Sequence, residues 1–304
     1  MKAPHTLLAG GGGFIGRALA ARLAAAGHMV TILSRRPAAP TPPGVVWRRG
    51  SLDDAALLRD LLPRCTAVTH LATTSTPGSF RDAPTREAGE NLIPLLRLLE
   101  ALREHTDLPL VYLSSGGAIY GNPDTLPVPE SHPMAPLSYH AAGKAAAEQF
   151  LGAFAHTGHV LTILRPANAY GPDQPLRPGF GVVRTLLEHL LRQTPMEIWG
   201  DGNSVRDYLY IDDLTQACLD ALAHPSAGTY NLGSGLGYSL NALCDLARGI
   251  TGRNLDVRYR PARGTDVRAV VLDSTRFSER YGWQPAISLE EGMARMWHWL
   301  RGQA

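Results

Sequence analysis

Cysteine and net charge are both scarce in this chain: 304 residues carry three cysteines and a formal charge of +2. Cys65, Cys218 and Cys244 lie far apart in no ligand-like spacing. That pattern argues against a metal centre and for reduced thiols inside the cell. Basic residues are scattered, which argues against nucleic acid as a partner. No apolar run reaches the roughly 20 residues of a membrane span, and no secretory signal stands before the first strand-like segment. Internal repeats and low-complexity tracts are lacking as well. The expectation is a soluble cytoplasmic protein, long enough for one large domain or two closely joined ones.

What is present starts with Leu8-Ala9-Gly10-Gly11-Gly12-Gly13-Phe14-Ile15-Gly16. The apolar run Thr6 to Ala9 predicts a short buried strand, and the alanine-rich pattern from Phe14 to about Ala26 predicts a helix. A strand that turns through glycines into a helix gathers backbone N–H groups and the positive helix end around one point, a place suited to pyrophosphate. Gly10, Gly13 and Gly16 give the spacing G-x-x-G-x-x-G.

Strand-like and helix-like stretches then alternate. Strands are expected at 28–33, 45–47, 67–71, 110–114 and 160–164, and helices at 53–62, 86–105 and 138–156. Such alternation predicts an α/β protein with a Rossmann-type, doubly wound parallel sheet. Beyond Pro166 the rhythm breaks into proline- and glycine-rich loops. The expected division is a dinucleotide-binding domain over 1–165, rejoined by segments around 207–236, and a smaller C-terminal α/β substrate-binding domain over 166–304.

The second strand ends in Ser34-Arg35-Arg36. An acidic residue there would select NAD through the ribose 2′-hydroxyl. A serine and two arginines suit a 2′-phosphate, so the residues favour NADP over NAD. Two solvated arginines at a strand end would read the same way.

Taken together, these residues resemble the extended short-chain dehydrogenase/reductases that act on nucleotide sugars, the family of UDP-galactose 4-epimerase. The matches run almost end to end. They include the glycine loop, His70-Leu71-Ala72, Asn91, Ser114-Ser115 with Ile119-Tyr120-Gly121, and Leu164-Arg165-Pro166 with Asn168-Ala169-Tyr170-Gly171-Pro172. Gly200-Asp201-Gly202, Arg206-Asp207-Tyr208, Asp212-Asp213, Tyr230-Asn231-Leu232-Gly233, Arg263 with Asp266, and Gly282-Trp283 with Pro285 continue the series.

The resemblance implies NAD(P) held by Gly10, Gly13, Phe14, Ile15, Gly16, Ser34, Arg35, Arg36, Ser51, Leu52, Leu71, Ala72 and Lys144. It implies a UDP-like nucleotide sugar as substrate, its diphosphate held by Asn168, Arg206 and Arg263. For Arg206, beside Asp207 and Asp213, a surface ion pair is the competing explanation. At Ser51-Leu52 family members often carry an acidic residue against the adenine. A homodimer, paired through helices 86–105 and 138–156, is implied by the family alone, because core burial explains their apolar runs equally well.

The catalytic segment departs from the family. Where relatives read S-P-Y-G-A-S-K, this chain reads Ser138-Tyr139-His140-Ala141-Ala142-Gly143-Lys144. His140 occupies the tyrosine position, and Lys144, four residues on and about 400° around a helix, shares its face. Tyr139 is five residues from Lys144 and roughly 140° away. The serine or threonine that assists the tyrosine is also missing, since Gly116 stands there. Ser115 is the nearest hydroxyl and could substitute only if the strand has ended before it.

Three readings stay open: His140 as proton relay, Tyr139 swung inward from an irregular first turn, or a site that binds without chemistry. Dehydratases of the family carry an Asp-Glu pair where this chain has Gly117 and Ala118, so elimination of water is not expected. An epimerase and an NADPH-dependent ketosugar reductase both remain.

Overall fold

The computed structural model describes residues 4–177, 179–262 and 267–303. In chain order, β1 (His5–Ala9) turns into α1 (Phe14–Ala25), followed by β2 (Met29–Ser34), β3 (Val45–Arg49), α2 (Ala55–Leu61) and β4 (Ala67–His70). Next come α3 (Pro84–Glu87), α4 (Ile93–Leu102), β5 (Leu110–Leu113), the single turn α5 (Gly116–Ile119), α6 (Tyr139–Ala155) and β6 (Leu161–Pro166). The remainder comprises β7 (Asn168–Tyr170), α7 (Val182–Arg192), β8 (Met196–Trp199), β9 (Val205–Tyr210), α8 (Ile211–Ala223) and β10 (Gly228–Leu232). After these come β11 (Gly237–Ser239), α9 (Leu240–Thr251), β12 (Val257–Arg260), β13 (Ala269–Val270), α10 (Thr275–Tyr281) and α11 (Leu289–Arg301).

The chain forms two compact units. The first holds Met1–Ser115, Tyr139–Arg165 and Thr215–Tyr230, and the second Gly116–Ser138, Pro166–Leu214 and Asn231–Ala304. In the first unit the sheet order is β10-β6-β5-β4-β1-β2-β3. The registered pairs from β3 across to β6 are all parallel. This is the doubly wound Rossmann-type arrangement, whose strand ends meet ligands where the order reverses beside β1. β4, β5 and β6 are buried along their whole length, as sheets covered on both faces require. Leu7, Val68, Leu98, Leu110 and Leu151 belong to one apolar core that ties sheet to helices.

Most element boundaries fall within a residue or two of expectation; the long helix is the exception. It starts at Pro84, widens into a π-helical turn at Ala88–Leu92 and ends at Leu102. Pro94 lies in the first turn of α4. Proline has no N–H for the ordinary helical bond, and the widened turn accommodates the gap.

Segment 116–138, expected in the first domain, packs with the second unit. Val128 exchanges backbone hydrogen bonds with Val271 and Asp273, and Tyr120 donates its hydroxyl proton to Asn231 at 2.8 Å. In that unit β9 runs antiparallel to β11 and parallel to β7 and β13. Buried Asp207 on β9 accepts hydrogen bonds from the backbone N–H groups of Ser234, Gly235 and Leu272.

Candidate active site

The glycine loop has the shape its spacing predicts. Gly10 takes φ +82°, and a Cβ there would stand 2.4 Å from the Ala72 backbone, so only glycine fits. Leu71 N–H donates to Ala9 at 2.8 Å, which clamps Leu71-Ala72 beside the turn. A Cβ at Gly16 would collide with Gly11, so the loop folds tightly onto α1.

At Gly13, by contrast, an added Cβ would meet nothing nearer than 4.0 Å among the described residues. Gly13 caps α1 without a side-chain acceptor, and the first turn, which starts Phe14-Ile15, carries no acidic residue. Uncapped N–H groups behind open space fit a pyrophosphate. Ser34 is buried at the end of β2, and its hydroxyl accepts from Arg36 N–H. The Arg36 guanidinium reaches the Gly12 carbonyl at 3.4 Å, while Arg35 is exposed. Leu52 is buried, and the Ser51 hydroxyl donates to Asp53 at 2.9 Å.

Helix α6 begins at Tyr139 and separates the two proton-relay candidates. Tyr139 is 42% exposed and His140 only 7%. Lys144, one turn on, is also buried. It donates to the Leu113 carbonyl at 2.7 Å and lies 4.7 Å from the Tyr112 ring centre. β5 ends at Leu113, so Ser115 lies beyond the strand, as its substitution for the missing hydroxyl requires. Its neighbour Ser114 is committed elsewhere, donating to Glu148.

Burial, with the Lys144 charge behind it, pushes the His140 imidazole down to about 3. The same two causes push His70 to about 3. Burial lowers Lys144 to about 8, opposed by the charges of Glu87 and Glu148. An unfolded histidine takes up its proton near 6.5, whereas these two stay neutral in the fold. The unfolded state therefore binds more protons between about pH 3 and 6.5, and their contribution to stability is lost as pH falls through that window. Urea midpoints measured from pH 7 to pH 4 should fall steadily, and the fall should be shallower in His70→Phe.

Three residues absent from the sequence-based candidates gather beside His140. Ser75 Oγ lies 2.9 Å from His140 Nδ1. Asn91 donates to Ser75 Oγ at 3.2 Å and to Glu87 at 3.0 Å. Glu87 is buried against Gly143, where a Cβ would stand 2.5 Å from its Oε1. The family's serine at position 143 would crowd this carboxylate, so the glycine in its place, with Asn91 among the family matches, was the available signal. A cavity of about one water lies between His70, Glu87, Asn91, Tyr112, Gly143 and Lys144. Both His70 ring nitrogens and Glu87 Oε2 are buried without a hydrogen-bond partner among the described residues.

Two of the expected diphosphate residues, Asn168 and Arg206, lie in the second unit. Asn168 on β7 is exposed and donates to the Asp207 carbonyl at 2.9 Å. The Arg206 guanidinium donates to the carbonyls of Val205 and Val267, at 2.8 and 2.5 Å. Arg263 lies outside the described residues.

The sequence profile of the NAD dependent epimerase/dehydratase family matches residues 6–233. The UDP-glucose 4-epimerase of Mycolicibacterium smegmatis is 33% identical over 313 residues, covering 99% of both chains. The crystal structure of Thermotoga maritima UDP-glucose 4-epimerase with UDP-glucose superposes with a TM-score of 0.93 at 34% identity. That match covers 98% of this chain and 99% of that one. The complex of Thermus thermophilus UDP-glucose 4-epimerase with NAD gives 0.92 at 31%, covering 99% and 100%. A family match over residues 6–233, 33% identity along the whole chain and a TM-score of 0.93 leave one conclusion: this chain belongs to the NAD dependent epimerase/dehydratase family.

Proposed function

We propose that the chain is an NAD(P)-dependent nucleotide-sugar oxidoreductase of the 4-epimerase kind, with His140 in the tyrosine's place. The observation that carries this reading is the buried pair His140 and Lys144, one turn apart on one face of α6. The cofactor, when bound, supplies a hydride acceptor that returns the hydride to the other face of the sugar carbon. His140 meets the reacting sugar oxygen and handles its proton, and Lys144 holds the nicotinamide ribose. Ser115 supplies the second hydroxyl contact, while Asn168, Arg206 and Arg263 take the diphosphate. With Gly117 and Ala118 where an acid–base pair would be needed, the site does not eliminate water. Pairing with a second copy would cover Ile93 and Phe150, both exposed on the helices expected to form a dimer.

The test is interconversion of UDP-glucose and UDP-galactose, read chromatographically, together with mass spectrometry of any dinucleotide released on denaturation. Interconversion with stoichiometric NAD⁺ supports the epimerase. Ligand binding with no turnover of any nucleotide sugar would leave a binding protein.

Arg35 and Arg36 favour a second reading, reduction of a ketosugar by NADPH. On that reading the double variant Arg35→Ala/Arg36→Ala weakens NADPH binding about tenfold or more, the worth of one charge-assisted hydrogen bond. NADH binding stays unchanged. Equal effects on both cofactors, measured by fluorescence titration, would make these arginines ordinary surface charges.

A further inference from the structure

We propose that Ser75 and Asn91 are positioning residues that hold His140 as the neutral tautomer protonated on Nε2, so that the ring meets a sugar oxygen as a hydrogen-bond donor. The inference deepens the reading of His140 above and rests on it for its meaning in the reaction.

The hydrogens can be followed along one string. Thr74 N–H, which can only donate, points at Asn91 Oδ1 at 2.8 Å, and the Thr74 hydroxyl adds a second contact to the same oxygen at 3.2 Å. The Asn91 amide is thereby oriented, with Nδ2 toward Glu87 Oε1 and Ser75 Oγ. Glu87 fixes the same orientation, because a carboxylate offers only acceptors to this amide. Ser75 Oγ therefore receives a proton from Asn91 and keeps one hydrogen of its own. The Ser75 side chain is buried, and among the described residues its other neighbour at hydrogen-bond distance is His140 Nδ1. If Nδ1 carried the ring proton, the serine hydrogen would be buried without a partner, a penalty that biases the ring about tenfold or more toward the Nε2 tautomer. Burial and Lys144 keep the ring uncharged at neutral pH, so the choice lies between the two neutral forms.

This matters because the two halves of an epimerisation ask opposite things of one group. Oxidising a sugar hydroxyl needs a lone pair on the ring, whereas reducing the ketone benefits from a donor to the carbonyl oxygen. The string holds the ring in the form suited to the ketone; the oxidising half draws on the minor tautomer protonated on Nδ1, whose Nε2 lone pair takes the hydroxyl proton and gives it back when the hydride returns. None of its members follows from the motif at 138–144, since Ser75 stands 65 residues away from His140.

Nitrogen-15 NMR on the full chain tests this without reference to activity, the His140 signals being identified by their loss in His140→Phe. The expected spectrum shows His140 protonated on Nε2 near pH 7, a shift of that ratio toward Nδ1 by about tenfold in Ser75→Ala, and recovery in Ser75→Thr. A ring protonated on Nδ1, or an unchanged ratio in Ser75→Ala, overturns the proposal. If the tautomer is as stated while His140→Phe keeps full turnover, the positioning stands and the catalytic reading of His140 falls instead.

Discussion

Replacing His140 with phenylalanine should lower nucleotide-sugar turnover by about 10²–10⁴-fold, the range for losing a positioned proton-transfer group. Affinity for the dinucleotide should be unchanged. Phenylalanine keeps a planar ring of similar size within the buried site and removes both nitrogens. The cofactor contacts proposed for the glycine turn, the end of β2 and Lys144 do not pass through the imidazole. Stability should drop modestly, because the Ser75 hydroxyl then has no acceptor; an unmade buried hydrogen bond costs about 1–3 kcal/mol. Steady-state kinetics beside a thermal melt separate the two effects. Full activity in His140→Phe together with lost activity in Tyr139→Phe would transfer the role to Tyr139, despite that ring's exposure at the start of α6.

A second large effect is expected one turn beyond Lys144 on the same helix. Arg165 and Glu148 form an ion pair at 2.6 Å, with side chains only 5% and 3% exposed. Arg165 Nε lies 3.1 Å from both carboxylate oxygens, and Ser114 donates to Oε1. The pair fastens α6 to β6 and to the end of β5. Arg165→Met should destabilise the protein by about 3–5 kcal/mol, since it leaves a carboxylate buried without its counter-charge. Adding Glu148→Leu should recover much of that loss, because an apolar pair of similar volume avoids the desolvation penalty. Urea unfolding of the two single variants and the double variant decides it. A double variant no more stable than Arg165→Met would show that packing, not the stranded charge, accounts for the loss.

The two outcomes are linked through α6. This helix presents His140 and Lys144 from its first turns, and Glu148 anchors the next turn. A variant that loosens the Glu148 anchor should therefore also blur the position of Lys144, whose amino group reaches the Leu113 carbonyl. His140→Phe should leave that anchor intact. Turnover and stability are thus expected to fall together in Arg165→Met and separately in His140→Phe.

Local rules carried much of the fold. Apolar runs bounded by glycine and proline located the strands of the first unit, and alternation with helices implied that they run parallel. The turn at Gly10 was legible because its conformation and its contact with Ala72 admit no side chain. The face shared by His140 and Lys144 was legible because four residues close one helical turn. The widened turn at Ala88–Leu92 was not read, because a proline in a helix, here Pro94, permits a break, a kink or a bulge, and packing selects among them.

What the sequence determined by itself is whatever depends on near neighbours in the chain: the strand–glycine–helix unit, the spacing at 140 and 144, and a whole-chain order of motifs that identifies the family. The tertiary structure alone decided which distant groups meet. It placed Ser75 against His140, put Glu87 in the space that Gly143 leaves, brought segment 116–138 to the second unit, and set which ring at the start of α6 is buried. The physical reason is that hydrogen bonds and desolvation act over a few ångströms in space, whatever the separation in sequence. A residue 65 positions away can therefore determine which nitrogen of a histidine carries its proton, and no periodicity in the chain records that.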